Sequence, residues 1–222
     1  MQIQKNLTAI NFNKSSGRSI KYIVIHYTGN TNDTAYNNTK YFKSENRNAS
    51  AHYFVDRSEI WQCVEDKDIA WHCGSKSYRH EKCRNSNSIG VELCDGVPDF
   101  HKDTVANAVW LVRELMAKYN IPVENVIRHY DVTGKICPKP YVDEAKWAEF
   151  KKLIGNPSTT DVVPLPLGKG GSPLTSVNDI VWQLSERGII SDKELWLKKL
   201  EEDKNAYWLA KKFTDYIGKA VL

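Results

Sequence analysis

The chain has 222 residues, 41% of them hydrophobic and 26% charged, with a formal net charge of +4. That is the composition of a soluble globular protein, long enough for one full-sized domain and a smaller one. No apolar run approaches membrane-spanning length, and no basic cluster interleaved with aromatics marks a nucleic-acid binder, so membrane insertion and nucleic acid are not expected.

The first residues, MQIQKNLTAINFNKSS, hold no continuous apolar stretch. A signal peptide is therefore not expected: synthesis would be cytoplasmic, and any substrate outside the membrane would be reached by another route. Residues 21–26 read as a strand and 33–44 as a weaker helical segment. Residues 52–57 and 59–64 form two strands, with Arg57-Ser58 as a tight hairpin between them. A further strand follows at 88–94. From Asp103 to Asn120 the spacing is helical, with Val105, Val109, Val112 and Met116 on one stripe. A last strand covers 126–129, and Asp143 caps a helix running to about Leu153. The pattern predicts an α/β fold with helices packed on a mixed central β-sheet.

Residues 155–176, GNPSTTDVVPLPLGKGGSPLTS, hold four of the eight prolines and four of the twelve glycines. Such a stretch neither continues a helix nor builds a core, and it reads as a linker. Beyond it, 177–222 is helical throughout. Val177, Ile180, Val181 and Leu184 follow i, i+3, i+4, i+7, and Ser191 with Glu194 forms a capping box. Asn205 caps a third helix carrying Leu209, Phe213 and Ile217. Three helices in so short a unit make a thin core, which favours docking or self-association. The expected organisation is a catalytic domain over 1–154, a linker over 155–176 and a small all-α domain over 177–222. The tail holds equal numbers of acidic and basic residues, so the positive surplus belongs to residues 1–154. A basic catalytic region suits an anionic polymer; ordinary surface solvation explains it equally well.

The chemistry is concentrated in three residues. His26 ends the β-branched run from Tyr22, His129 ends the run from Val126, and Cys137 follows in the loop from Thr133 to Pro138. Two imidazoles and a thiolate leave the fourth tetrahedral position of a zinc open for water, which is what separates a catalytic zinc from a structural one. Spacing alone does not select this reading, since no CxxC or HExxH signature is present and single histidines and cysteines are mostly core residues. In 88–94 the alternation puts Ile89, Val91 and Leu93 on one face, and Ser88, Gly90, Glu92 and Cys94 on the other. Glu92 is there either an exposed strand carboxylate or a proton carrier. Lys135, two residues before Cys137, is either a solvated loop lysine or a cation beside a developing oxyanion. Five cysteines, an odd number, argue against a fully paired disulfide framework; Cys63, Cys73, Cys83 and Cys94 suit a reduced, partly buried state. Pairing of Cys73 with Cys83 stays open.

Five segments carry a resemblance that weighs these alternatives: KYIVIHYTGN (21–30), SAHYFVDRSEIWQCV (50–64), AWHCG (70–74), NSNSIGVELC (85–94) and VIRHYDVTGKICPKP (126–140). In this order they resemble the zinc-dependent N-acetylmuramoyl-L-alanine amidases, the family of phage lysins and peptidoglycan recognition proteins. The resemblance implies that His26, His129 and Cys137 bind Zn2+, that Glu92 does acid/base work and that Lys135 stabilises the oxyanion. It places His52 where several phage enzymes carry a tyrosine that assists the tetrahedral intermediate. His52 and its neighbour Tyr53 cannot both face the cleft, and His52 is the one expected there. Trp71 and His72 match a segment lining the substrate groove, and Asn87 is expected to support it. The implied activity is hydrolysis of the amide between N-acetylmuramic acid and the L-alanine of the stem peptide. With no signal peptide, a phage or prophage endolysin is expected, acting on a Gram-positive wall after release. The helical tail is similar to C-terminal segments of clostridial prophage lysins, through which it would bind wall polymer or self-associate. A non-catalytic peptidoglycan-binding protein, a bacterial autolysin and a muropeptide-recycling enzyme are the alternatives. Retention of all three ligand positions speaks against the first, and the linked tail against the last.

Overall fold

The structure is a computed structural model that describes residues 2–155. The helical unit over 177–222, and the linker apart from Gly155, lie outside the described residues; Gly155 itself is the last residue of a helix. Eight strands are present among the described residues: β1 (Ile3–Lys5), β2 (Phe12–Asn13), β3 (Tyr22–Tyr27), β4 (Tyr53–Val55), β5 (Ile60–Gln62), β6 (Ile69–Ala70), β7 (Ser88–Leu93) and β8 (Val126–Arg128). Four α-helices accompany them: α1 (Ala35–Ser44), α2 (Lys102–Tyr119), α3 (His129–Thr133) and α4 (Glu144–Gly155).

Six strands form one sheet in the order β1-β5-β4-β7-β3-β8, and β2 pairs with β6 separately. Only β4 and β5 run antiparallel within the large sheet, joined through Arg57-Ser58 as the sequence predicts. Asp56 shapes that turn: its Oδ1 accepts from the backbone N–H of Ser58 and Glu59 at 2.7 and 2.8 Å. Its Oδ2 accepts from Ala35 N at 2.8 Å, which ties the start of α1 to the hairpin. The mixed α/β architecture is thus the one expected.

Strand alternation sorts the side chains between two faces. Ile23, Ile25, Tyr53, Val55, Ile89, Val91 and Leu93 are buried in the main core with α2 and α4. Helix α2 contributes Ala108, Val109, Leu111, Val112 and Leu115, and ends where Asn120 takes a left-handed conformation. Helix α4 contributes Trp147, Phe150 and Ile154; Asp143 caps it by accepting from Ala145 N and Lys146 N. On the opposite face α1 packs through Ala35 and Phe42 against Phe54, Cys63 and Cys94. That face also carries His26, His52 and Glu92, so one helical layer buries the sheet while the other leaves part of it free for chemistry. All five cysteines are buried and unpaired; Cys73 and Cys83 pack in one cluster without a disulfide.

Candidate active site

His26 is the penultimate residue of β3, and parallel pairing with β7 sets it directly beside Glu92. His129 is the first residue of α3, immediately after β8, rather than the end of a strand. Cys137 returns to the same point because its carbonyl accepts from Tyr130 N at 2.8 Å. One donor atom from each of His26, His129 and Cys137 falls within 4.8 Å of the other two, and all three residues are buried. The imidazoles meet edge to face at 4.7 Å between centroids. His26 Nδ1 lies 3.8 Å from Cys137 Sγ, and a tetrahedral zinc with ordinary bond lengths separates such atoms by about 3.6 Å. His129 Nδ1 is buried without a hydrogen-bond partner. A buried imidazole nitrogen with nothing to bond is costly unless a metal takes its lone pair. The donor set therefore fits a divalent ion of zinc type.

Burial first, then the charges of neighbouring groups, holds His26 well below the ordinary 6.5; burial and the Lys135 ammonium bring His129 down to about 4. Both rings are thus neutral and able to ligate near pH 7. Burial pushes the Cys137 thiol up to about 12, with the Glu92 carboxylate adding to the effect. A backbone hydrogen bond from Tyr27 and the Lys135 charge oppose that rise, and a further positive charge at the site would favour the thiolate.

Glu92 Oε1 lies 4.0 Å from His26 Nδ1, while Oε2 is buried and unpartnered. Burial raises this carboxyl to about 8 and the Asp33 charge adds to the rise, with the Lys135 charge opposing both. A carboxyl poised near neutrality can both take and return a proton. Lys135 itself is exposed and lines an open groove of ≈ 560 Å³, together with Trp71, His72, Asn85, His129 and Thr133. His129 thus belongs both to this groove and to the cluster.

Trp71 and His72 both line the groove, and His72 also reaches inward to bond His26. His52 needs a correction. It occupies the same sheet face as His26, yet it is wholly buried beneath His72, 5.6 Å away between ring centroids. Its Nδ1 accepts from Gly90 N at 2.9 Å and its Nε2 faces the Asp68 carbonyl at 3.2 Å. With both nitrogens engaged and no surface, His52 packs under the groove and does not touch what binds in it. Tyr53 points to the other face, where its hydroxyl donates to Asp66. Asn87 shapes the loop before β7, accepting from Arg84 N and donating to the Lys82 carbonyl.

Sequence reasoning missed Asn85, whose Oδ1 accepts from the N–H of His72 and of Cys73 and clips that segment to the loop before β7. It also missed Ser88, which bonds the far side of the His72 ring. The glycine in SIGVEL was the available signal for a close approach, but not for what approaches.

A buried His/His/Cys donor set beside a carboxyl of raised pKa is compatible with a metal centre that has an open ligand position. The family is clear. Residues 16–140 match the family described as N-acetylmuramoyl-L-alanine amidase, and the chain belongs to it. It is 35% identical over 176 residues to N-acetylmuramoyl-L-alanine amidase CwlL of Bacillus licheniformis, covering 70% of this chain and 48% of that protein. It is 36% identical over 181 residues to N-acetylmuramoyl-L-alanine amidase XlyA of Bacillus subtilis strain 168, covering 78% of this chain and 57% of that one. The chain thus spans about half the length of these curated relatives. The solved catalytic domain of XlyA superposes with a TM-score of 0.61 at 32% identity, covering 70% of this chain and all of that domain. The structure of PlyL superposes with a TM-score of 0.62 at 32% identity, over 71% of this chain and 99% of that one.

Proposed function

We propose that this chain is a zinc-dependent peptidoglycan amidase, cleaving the bond between N-acetylmuramic acid and the L-alanine of the stem peptide. The observation that carries the proposal is the β3/β7 register, which sets Glu92 beside His26 of the three-donor cluster. When bound, zinc supplies Lewis acidity, lowering the pKa of a water and polarising the carbonyl under attack. His26, His129 and Cys137 hold it. Glu92, 4.0 Å from His26 Nδ1, takes the proton of the attacking water in its ionised form and delivers it to the leaving nitrogen. Lys135, on the groove wall, stabilises the negative charge that develops on the carbonyl oxygen. Trp71 and the outer edge of His72 contact the substrate in the groove.

An endolysin role is favoured by the 33% identity to a mutant endolysin from Bacillus subtilis, with a TM-score of 0.60 over 70% of this chain. The chain would then act on the wall after release from the cytoplasm, with residues 177–222 binding wall polymer or self-associating. No helix among the described residues is long and apolar enough to cross a membrane. The curated relatives named, CwlL and XlyA, are Bacillus proteins and lend no support to the clostridial detail read from the tail. Metal analysis together with turnover on purified wall tests the proposal. It expects about one zinc per chain and lysis that a chelator stops and zinc restores. Zinc-free protein with undiminished lysis would overturn it.

A further inference from the structure

A hydrogen-bond chain runs from the metal cluster into the loop before β7, and its direction is set at the far end. The Arg84 carbonyl can only accept, and Ser88 donates its hydroxyl proton to it at 2.7 Å. With that proton committed, Ser88 Oγ accepts from His72 Nε2, 3.2 Å away. A neutral His72 protonated on Nε2 has a bare Nδ1, and that nitrogen lies 3.0 Å from His26 Nε2. His26 must therefore carry its proton on Nε2. Its Nδ1 lone pair is left facing Cys137 Sγ at 3.8 Å.

We propose that His72 is a positioning residue that fixes His26 in the tautomer able to ligate, through the chain Arg84–Ser88–His72–His26; the metal part of this rests on the zinc reading above. The reverse tautomer of His26 would point an N–H at the cluster and leave two bare nitrogens facing each other at His72. Both faults are costly in a buried site, and groups outside the ligand shell commonly tune metal affinity in this way.

Gly90 is the structural condition for the contact. A Cβ there would stand 2.5 Å from His72 Cγ and 2.8 Å from Nδ1, distances that would force the ring aside. Gly90 has no positive φ among the backbone angles, so its role is space and not backbone conformation. Asn85 holds the segment from the other side through the His72 and Cys73 N–H groups. The ring is thus clamped between β7 and the groove.

Three variants test this in the full-length protein: His72→Phe, His72→Asn and Gly90→Ala. Phenylalanine keeps a ring but has no acceptor. Asparagine puts Oδ1 where Nδ1 stood and restores an acceptor for His26. Two readouts are used, zinc affinity by chelator competition and the ring-nitrogen NMR signature of His26 in metal-free protein. His72→Phe and Gly90→Ala should weaken zinc by about 10- to 100-fold and release His26 into a mixture of tautomers. His72→Asn should recover most of the affinity and the single Nε2–H tautomer. Matched thermal unfolding of the metal-free variants separates this from a folding defect, and asparagine rescue separates it from simple packing. If wild-type protein binds no zinc, the metal reading fails, and the His26 tautomer alone still decides the proposal. A His26 proton on Nε2 that persists unchanged in His72→Phe overturns it, as does unchanged zinc affinity in that variant when the wild type binds zinc.

Discussion

Replacing Glu92 by Gln should remove turnover and at the same time make the metal-free protein more stable. The side chain is largely buried, 19% exposed, with Oε2 buried and unpartnered, and the carboxyl is raised from 4.5 to about 8. Folding at neutral pH therefore obliges a group that is ionised in the unfolded chain to take up a proton. The cost is absent below 4.5, grows as pH rises, and levels off above about 8. At pH 7 it amounts to about 3 kcal/mol, from the gap of about 2.5 pH units above the unfolded value at 1.36 kcal/mol each. Glutamine keeps the shape and the unpartnered polar atom but has no proton to gain. The gain in stability of Glu92→Gln over wild type should thus be under about 1 kcal/mol at pH 5 and about 3 kcal/mol at pH 7. Urea unfolding in chelator at the two pH values measures it, and taking the difference between proteins cancels the titration of the histidines. Turnover of the zinc-loaded variant should fall by about 10²- to 10⁴-fold. A stability difference that does not change between pH 5 and 7 would refute the burial argument, and wild-type turnover would leave Glu92 a strand residue only.

Cys137→Ala should lose both zinc and turnover while its far-ultraviolet circular dichroism stays that of the wild type, because the main core does not include Cys137. Lys135→Ala should keep its zinc, since the side chain is exposed and outside the donor set, and lose about a hundredfold in kcat through the missing oxyanion partner. A chain ending at Gly155 should fold and hydrolyse soluble muropeptides but bind intact wall more weakly or lose self-association, which wall pull-down and light scattering distinguish. The cut belongs after Gly155 and not at Leu153, because Ile154 is buried in the main core.

The parts of the fold that were readable are those with enough residues to show a period. The run from Tyr22 to His26, the alternation of Ser88 to Leu93 and the helical stripe through Val109 and Val112 each repeat their pattern several times. Strands β2 and β6 have two residues each, so no alternation exists to be read. Helix α3 is a five-residue element, and its effect is to start at His129 and turn that ring toward His26. The site was legible where the strand pattern itself carries it: alternation sets Glu92 on the face opposite Ile89, Val91 and Leu93, while its place beside His26 comes from the parallel register. The fates of His52 and His72 were not legible. Parity sets His52 on the cleft side, but its burial depends on the 70–74 segment folding over it, a contact between residues far apart in sequence. Gly90 could be read as an open space, but that the His72 ring fills it follows only from the three-dimensional arrangement.

The central claim is that this chain opens one amide bond in peptidoglycan using a metal held by His26, His129 and Cys137. The most direct measurement is mass spectrometry of the products released from purified wall by the full-length protein, with zinc and with chelator. The account predicts stem peptides bearing a new free amine on L-alanine, glycan strands left uncut, and release that stops with chelator and returns with zinc. New reducing sugar ends without the free alanine amine, or the same release in chelator, would contradict it.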